Sequence, residues 1–305
     1  MFCAKFVAST GGFNATEALR LRGKIAFPHR ISMLGGSMSS FLEHNRQAWD
    51  ERMRRRDSHT ESAAEADFRD PLAAADSLGW LGGNVQGRRI LCLAAGGAKH
   101  GALFAAAGAE VTVVDLSPAM LERERAFAVQ RGLKLRVVEA SMTDLSMLAQ
   151  GSFDAVVQPV SSCYVPDVLA VYREVARVTA PGGLYISQHK QPACLQAEAL
   201  PSGRGYLLSE PYYRNGPLPA VLPGLQHREA GTVEFLHRWE ELLGGLCRCG
   251  FVLEDLIEPK HGDARAEPGT FAHRSHFVPP FVTLKARRIR SVEPGAGRPR
   301  LWIPS

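Results

Sequence analysis

The sequence lacks any hydrophobic run near the roughly 20 apolar residues that cross a bilayer. Its N-terminus has no compact apolar stretch followed by small residues, so a cleaved secretory signal is not indicated. The six cysteines stand at irregular intervals and form no paired Cys-x-x-Cys motifs. A disulfide framework and a zinc site of the usual spacing are therefore not supported. These absences predict a cytoplasmic protein with reduced thiols and no membrane span.

A basic surface for nucleic acid is also missing from the central sequence, although the net charge is +5 and the pI is about 9.0. The excess of positive charge lies at the two ends of the sequence. Residues 1–40 contain five bases and one acid, and residues 286–305 contain five arginines and one acid. The remaining residues, 41–285, hold 26 bases against 29 acids. This balance predicts no nucleic-acid partner for the central region.

The two ends differ from the centre in pattern as well as in charge. Residues 1–40 have weak periodicity and several glycines, which predicts a disordered leader, a transit peptide or a mis-assigned start. Leu34-Gly35-Gly36-Ser37 before Met38 is consistent with read-through of a ribosome-binding site, with Met38 as the true start. Residues 287–305 are rich in Pro, Gly and Arg and predict a disordered basic tail. One domain is expected over residues 41–286.

Between the ends, strand and helix patterns alternate, which predicts an α/β fold with a doubly wound, mostly parallel sheet. Ser117 and Pro118 indicate a helix start, and Gly132 indicates its end. Further helices are predicted over 41–53, 167–179 and 234–246. Strands are predicted over 90–95, 111–114, 135–139, 153–158 and 184–188, with the apolar runs 251–257 and 277–284 as a terminal hairpin.

A glycine turn and an acid predict the cofactor class. Gly96 and Gly97 interrupt the chain between the first strand and an alanine-rich helix, and glycine allows a sharp turn and close approach of a ligand. Asp115 ends the second strand about 20 residues later, where a carboxylate can accept hydrogen bonds from ribose hydroxyls. The pattern indicates a site for a nucleoside cofactor.

Four segments in this order and spacing resemble the class I S-adenosylmethionine-dependent methyltransferases, in the group related to quinone-biosynthesis methyltransferases. They are LAAGG (93–97), VTVVDLSPAML (111–121), VVEASMTDL (137–145), and FDAVVQPVSSCYVPD (153–167) with VARVTAPGGLY (175–185). The resemblance implies a Rossmann-like seven-stranded sheet with an antiparallel last strand, S-adenosylmethionine as cofactor, and methyltransferase activity.

The resemblance also assigns roles to single residues. It places Ala95, Gly96 and Gly97 at the methionine and sulfonium part of the cofactor and Asp115 at the ribose. The residues it places near the adenine ring or at the neighbouring strand tip are Leu116, Ser141, Met142 and Gln158. The sequence departs from the family where Cys92 occupies a usually acidic position, and where Ala94 and Ala98 replace glycines.

The methyl acceptor is expected to be a small molecule. The irregular insertion 190–233 is predicted to cap the acceptor, and the amphipathic segment 41–53 to act as a lid. The side chains predicted to line the acceptor pocket are Trp49, Cys163, Tyr164, Tyr212 and Tyr213. A base is needed only for some acceptors, and His189, at the end of the fifth strand, is the candidate for it.

Two alternatives remain at this stage. One is an NAD-dependent oxidoreductase, but the glycines do not follow G-x-G-x-x-G and no Tyr-x-x-x-Lys pair follows. The other is a non-catalytic module that binds S-adenosylmethionine. No metal is expected, because His261, His273 and His276 lack a spacing with known ligand geometry.

Overall fold

The structure is a computed structural model that describes residues 38–221 and 228–289. Seven strands in these ranges form one sheet: β1 Arg89–Leu93, β2 Glu110–Asp115, β3 Leu135–Glu139, β4 Phe153–Gln158, β5 Thr179–Lys190, β6 Phe251–Ile257 and β7 Phe281–Arg288. Their order across the sheet is β3-β2-β1-β4-β5-β7-β6, and β7 runs antiparallel to both of its neighbours. The predicted α/β fold with a mostly parallel, seven-stranded sheet is confirmed.

Helices cover both faces of this sheet. They are α1 Met38–Arg54, α2 Pro71–Ala75, α3 His100–Ala106, α4 Pro118–Arg131, α5 Val168–Val178, α6 Pro192–Gln196, α7 Gly245–Arg248, which continues a π-helical turn over Glu240–Gly244, and α8 Phe271–Phe277. One hydrophobic layer joins the sheet to α2, α3 and α4, and the other joins it to α5 and α7. Among the helices of the described ranges, none has the length and apolar composition to span a membrane.

Local sequence explains the two best-defined elements of the cofactor half. In β1, Leu91 and Leu93 enter the layer with α5, whereas Ile90 and Cys92 enter the opposite layer, so the strand is buried on both faces. At the start of α4 the Ser117 hydroxyl accepts a hydrogen bond from the Met120 amide at 3.1 Å. At its end Gly132 adopts a left-handed φ of 63°. The predicted start and stop of this helix are confirmed.

Two predicted elements near the C-terminus were wrong in extent. The helix expected over 234–246 begins only near Glu240, because other contacts hold the preceding segment: Glu234 is buried in ion pairs, and the Phe235 amide donates to the Cys163 carbonyl. The strand expected over 277–284 is present but shifted, as β7 Phe281–Arg288, because Phe277 ends helix α8 and Pro279 and Pro280 stand between the helix and the strand. The hairpin partners β6 and β7 are nevertheless paired as expected.

The insertion is anchored by one buried arginine. Arg274 of α8, 2% exposed, donates hydrogen bonds to the carbonyls of Cys194, Ala197 and Glu198. Most of the predicted leader and tail lies outside the described residues. At the C-terminal boundary, however, Arg287 and Arg288 belong to β7, where they pair with Val252 and Phe251.

Candidate cofactor and acceptor site

The glycine loop, residues 94–98, follows β1 at the carboxyl edge of the sheet. Three of its five residues have left-handed backbone angles: Ala94 at 48°, Gly97 at 103° and Ala98 at 66°. Glycine adopts this region freely, but an alanine there is strained by roughly 1–2 kcal/mol. The surrounding structure must therefore stabilise the two alanines.

Three consecutive amides of the glycine loop donate hydrogen bonds to the β2–α4 unit. The Gly96 amide donates to Asp115 Oδ2 at 2.9 Å, and the Gly97 amide donates to the Met120 carbonyl at 3.1 Å. The Ala98 amide donates to the Glu124 carboxylate. A Cβ on Gly96 would stand 2.9 Å from the Met120 Cβ and 3.1 Å from Asp115 Oδ2, so close packing on α4 requires glycine there.

Asp115 lies half-buried at the end of β2. Its second oxygen, Oδ1, accepts from the Ser117 amide at 2.9 Å. Burial raises the pKa of this carboxyl, and the nearby Asp50 carboxylate adds to the rise. A carboxylate has about four acceptor positions, so beyond the amides of Gly96, Ser117 and Leu116 about one remains for a ribose hydroxyl.

The predicted adenine-side residues meet at the end of β4. Gln158, 1% exposed, places its amide nitrogen 3.4 Å from the Met142 sulfur and 2.8 Å from the Ser161 hydroxyl. The Tyr185 hydroxyl donates to Gln158 Oε1 at 2.6 Å. Ser141 contacts the Thr143 hydroxyl at 2.7 Å instead. The structure therefore joins Met142 and Gln158 but keeps Ser141 within its own turn.

Helix α1 packs over the same edge. The Asn45 amide nitrogen donates to the carbonyls of Tyr164 and Val233, each at 3.0 Å. The Asp50 carboxylate accepts from the Ser117 hydroxyl at 2.6 Å and from the Ala119 amide at 3.1 Å. These contacts tie α1 both to the end of β2 and to the segment that follows β4.

Aromatic rings line the space between α1 and the strand ends. Trp49 of α1 packs edge-on against Tyr164, with centroids 5.6 Å apart. Cys163, beside Tyr164, is buried, and burial raises the pKa of its thiol. Tyr212 and Tyr213 lie elsewhere, against the Trp239 amide and the Arg238 guanidinium, respectively. The structure thus brings Trp49 and Tyr164 of the predicted pocket together, whereas the contacts of the insertion tyrosines are with residues 238 and 239.

A segment that sequence patterns do not single out covers the glycine loop. The Ser62 hydroxyl donates to the Gly97 carbonyl and the Ala63 amide donates to the Ala98 carbonyl, both at 2.9 Å. His59, in the short 3₁₀ turn Ser58–Thr60, lies within electrostatic range of Glu229 and other charged groups. Loss of solvent around the ring lowers the pKa of His59, and the nearby positive charges of Arg52 and Lys190 act in the same direction.

His189 occupies a different setting from the one expected for a base. It is 1% exposed, and its two ring nitrogens contact the hydroxyls of Ser162 at 2.7 Å and Ser187 at 2.8 Å. Burial lowers its pKa to about 3. This environment favours a neutral, packed imidazole, and the catalytic role of His189 stays a prediction.

A charged cluster of four residues closes the end of β5. Lys190, 4% exposed, pairs with Glu229 and with Glu234, the latter at 2.5 Å, and Arg228 pairs with Glu234. Although burial opposes charge on the ammonium, the two carboxylates hold the Lys190 pKa above its usual range. Two acids and two bases offset each other, so the cluster is an internal support of this edge. The described residues contain no group of three possible metal ligands.

Comparison with known proteins identifies the family. A family model described as a methyltransferase domain matches residues 91–187. An uncharacterized methyltransferase of Bacillus subtilis, YbaJ, is 32% identical over 240 residues, which cover 74% of this chain and 93% of that protein. The chain belongs to the S-adenosylmethionine-dependent methyltransferases.

Further matches agree with the methyltransferase family and with the fold. A crystal structure of an S-adenosylmethionine-dependent methyltransferase from Mesorhizobium loti is 27% identical, with a TM-score of 0.57 over 72% of this chain and all of that one. A ubiquinone biosynthesis O-methyltransferase of Xanthomonas campestris is 34% identical over 104 residues, covering 34% of this chain and 44% of that protein. The cofactor of this methyltransferase is S-adenosylmethionine, and the oxidoreductase and binding-module alternatives are not favoured.

Proposed function

We propose that this methyltransferase acts on a small-molecule acceptor, held beneath α1 at the carboxyl ends of β4 and β5. The supporting observation is the closure of this edge by α1 through Asn45 and Asp50. Tyr164 and Lys190 at the edge are 6% and 4% exposed. A macromolecule could reach Tyr164 only if α1, whose Trp49 packs on it, moved away.

The cofactor roles given by the sequence are carried into this proposal. Asp115 would accept from a ribose hydroxyl, and Leu116, Ser141 and Met142 would surround the adenine. Ala95, Gly96 and Gly97 would face the methionine and sulfonium part, and Gln158 would hold Met142 in place from the end of β4. The fit is supported by the acceptor capacity that Asp115 keeps beyond its backbone hydrogen bonds.

S-adenosylmethionine, when bound, supplies a methyl group that its positive sulfur already activates. The protein's own task is then to position the acceptor atom, which can contribute several kcal/mol to lowering the barrier. Trp49 and Tyr164 would hold a flat or apolar acceptor through their rings. Cys163 would line the acceptor pocket beside Tyr164. The predicted contacts of Tyr212 and Tyr213 with the acceptor would require an acceptor that extends toward the insertion.

If the acceptor is a hydroxyl, we propose His59 ahead of His189 as the proton acceptor. His59 is exposed and lies within electrostatic range of Glu229, whereas His189 is only 1% exposed. His59→Gln should then lower kcat and remove the limb of the pH profile due to the imidazole. His189→Gln should mainly lower the free energy of unfolding. The reverse pattern would support His189.

The acceptor class is tested by following labelled methyl groups from S-adenosylmethionine into cell extract. The extract is split by dialysis into a small-molecule fraction and a fraction of protein and nucleic acid. We expect label in the dialysable fraction, and Asp115→Ala protein is the control for enzyme-dependent transfer. Label confined to protein or nucleic acid would contradict the proposal. A cytoplasmic location and the lack of a nucleic-acid partner stay predictions from the sequence.

A further inference from the structure

Glu124 is an unusual member of the charged helix α4. It has no exposed surface, whereas Glu122, one half-turn earlier, leaves 74% of its side chain in solvent. One Glu124 oxygen accepts from the Ala98 amide. The other, Oε1, is buried without a hydrogen-bond partner in the structure. Burying a carboxylate with a free oxygen is costly, so its contact with Ala98 must offset part of that cost.

The packing around Glu124 leaves it little freedom. A Cβ on Gly101 of α3 would stand 2.5 Å from Glu124 Oε1 and 2.5 Å from a Val113 methyl. Gly101 therefore provides the space in which the carboxylate lies. Cys92 of β1 is fully buried in the hydrophobic layer shared with α3 and α4. It presents no carboxylate to the glycine loop.

The residue that Glu124 holds is a strained one. Ala98 has a φ of 66°, a region that alanine avoids, and it closes the glycine loop on the side of α3. Without a strong acceptor for its amide, Ala98 would relax toward ordinary angles and would shift Gly97 and Gly96 with it. The buried Glu124 oxygen is the acceptor that the structure supplies for this amide.

We propose that Glu124 is a positioning residue for S-adenosylmethionine binding: from α4 it holds the strained Ala98 amide and so fixes the glycine loop in its binding conformation. It does not touch the cofactor in this proposal. Its effect passes through the backbone of residues 96–98.

The test is a set of variants whose affinity for S-adenosylmethionine is measured by calorimetry. Glu124→Ala should weaken binding at least tenfold. Glu124→Gln should bind within about twofold of the parent, because its amide oxygen can accept from Ala98. Glu122→Ala is the matched control on the same helix and should not change the affinity.

A rescue variant separates this role from general stability. Glycine adopts a φ of 66° without strain, so adding Ala98→Gly to Glu124→Ala should restore most of the lost affinity. Urea unfolding of the same proteins measures their stability independently. Unchanged affinity in Glu124→Ala would overturn the proposal. A loss of affinity that Ala98→Gly does not recover would also overturn it. The same holds for a loss of affinity that only parallels the fall in the free energy of unfolding.

Discussion

Asp115 is the residue at which loop geometry and cofactor recognition meet. Its oxygens hold the amides of Gly96 and Ser117, and its remaining acceptor capacity is assigned to the ribose. Asp115→Ala should weaken S-adenosylmethionine binding at least tenfold, equivalent to about 1.4 kcal/mol or more of lost hydrogen bonding, as measured by calorimetry. Glu110→Ala, at the exposed opposite end of β2, is the control. Equal affinity in the two variants would contradict the ribose assignment.

The left-handed alanines of the glycine loop lead to a prediction of increased stability. Ala94 has a φ of 48°, so Ala94→Gly relieves strain but adds freedom to the unfolded chain. We expect the free energy of unfolding in urea to rise by about 0.5–1 kcal/mol. Ala105→Gly in α3, where the backbone is helical, should lower it by about the same amount. A decrease in both variants would show that Ala94 is not strained.

Single residues also show where sequence patterns suffice. Ser117 and Gly132 were predictable because their capping roles depend on neighbours a few positions away. Glu124 was not, because it belongs to a charged helical run that is typical of a solvated surface. Its burial arises only when the glycine loop, distant in sequence, packs against α4. His59 was missed because its short turn has no periodicity.

At the scale of elements, α1 is the feature that covers the carboxyl edge of the sheet at the end of β2 and at the segment after β4. Asp50 links this helix to the start of α4 through the Ser117 hydroxyl and the Ala119 amide. Asp50→Ala should lower the free energy of unfolding by about 1–3 kcal/mol, since it leaves buried donors without their acceptor. It should also expose α1 to proteolysis.

The control for this prediction is Glu51→Ala on the same helix. Glu51 pairs with the exposed Arg54 and Arg55, and such pairs contribute little. Its loss should change stability by less than about 0.5 kcal/mol. If Asp50→Ala behaves like Glu51→Ala in unfolding and in limited proteolysis, α1 is not held as described.

Element prediction succeeded where pattern and packing agree, as in β3, β4 and β6, whose bounds match the expected ones. It failed where partners that are distant in sequence determine the secondary structure. The helical pattern before Glu240 is overridden by the pairing of Glu234 with Lys190, which comes from the end of β5. The short helix α8 was missed because its anchor, Arg274, binds carbonyls of the insertion, and this contact has no local signal.

For the whole molecule, the buried Glu124 predicts a pH dependence of stability. Burial raises its pKa from 4.5 to about 7, with a further contribution from Asp115. Between these values the folded state binds more protons than the unfolded state, so the free energy of unfolding should fall as pH rises, by about 3 kcal/mol in total. Cys92 and Asp115 are the other titratable groups that face this carboxyl.

Urea unfolding across this pH window measures the effect as a difference between two proteins. Glu124→Gln lacks the titrating group, so its stability should exceed that of the parent increasingly as pH rises. Glu122→Gln should follow the parent curve. Parallel curves for the parent and Glu124→Gln would contradict the buried setting of this carboxyl.

The most direct test of the whole account is a crystal structure with S-adenosylhomocysteine. We predict a ribose hydroxyl on Asp115, adenine beside Met142, and the sulfur directed toward the space between α1, Tyr164 and His59. The size and polarity of that space would then define the acceptor. Ribose bound away from Asp115, or a sulfur that faces open solvent outside α1, would contradict the proposed enclosed site.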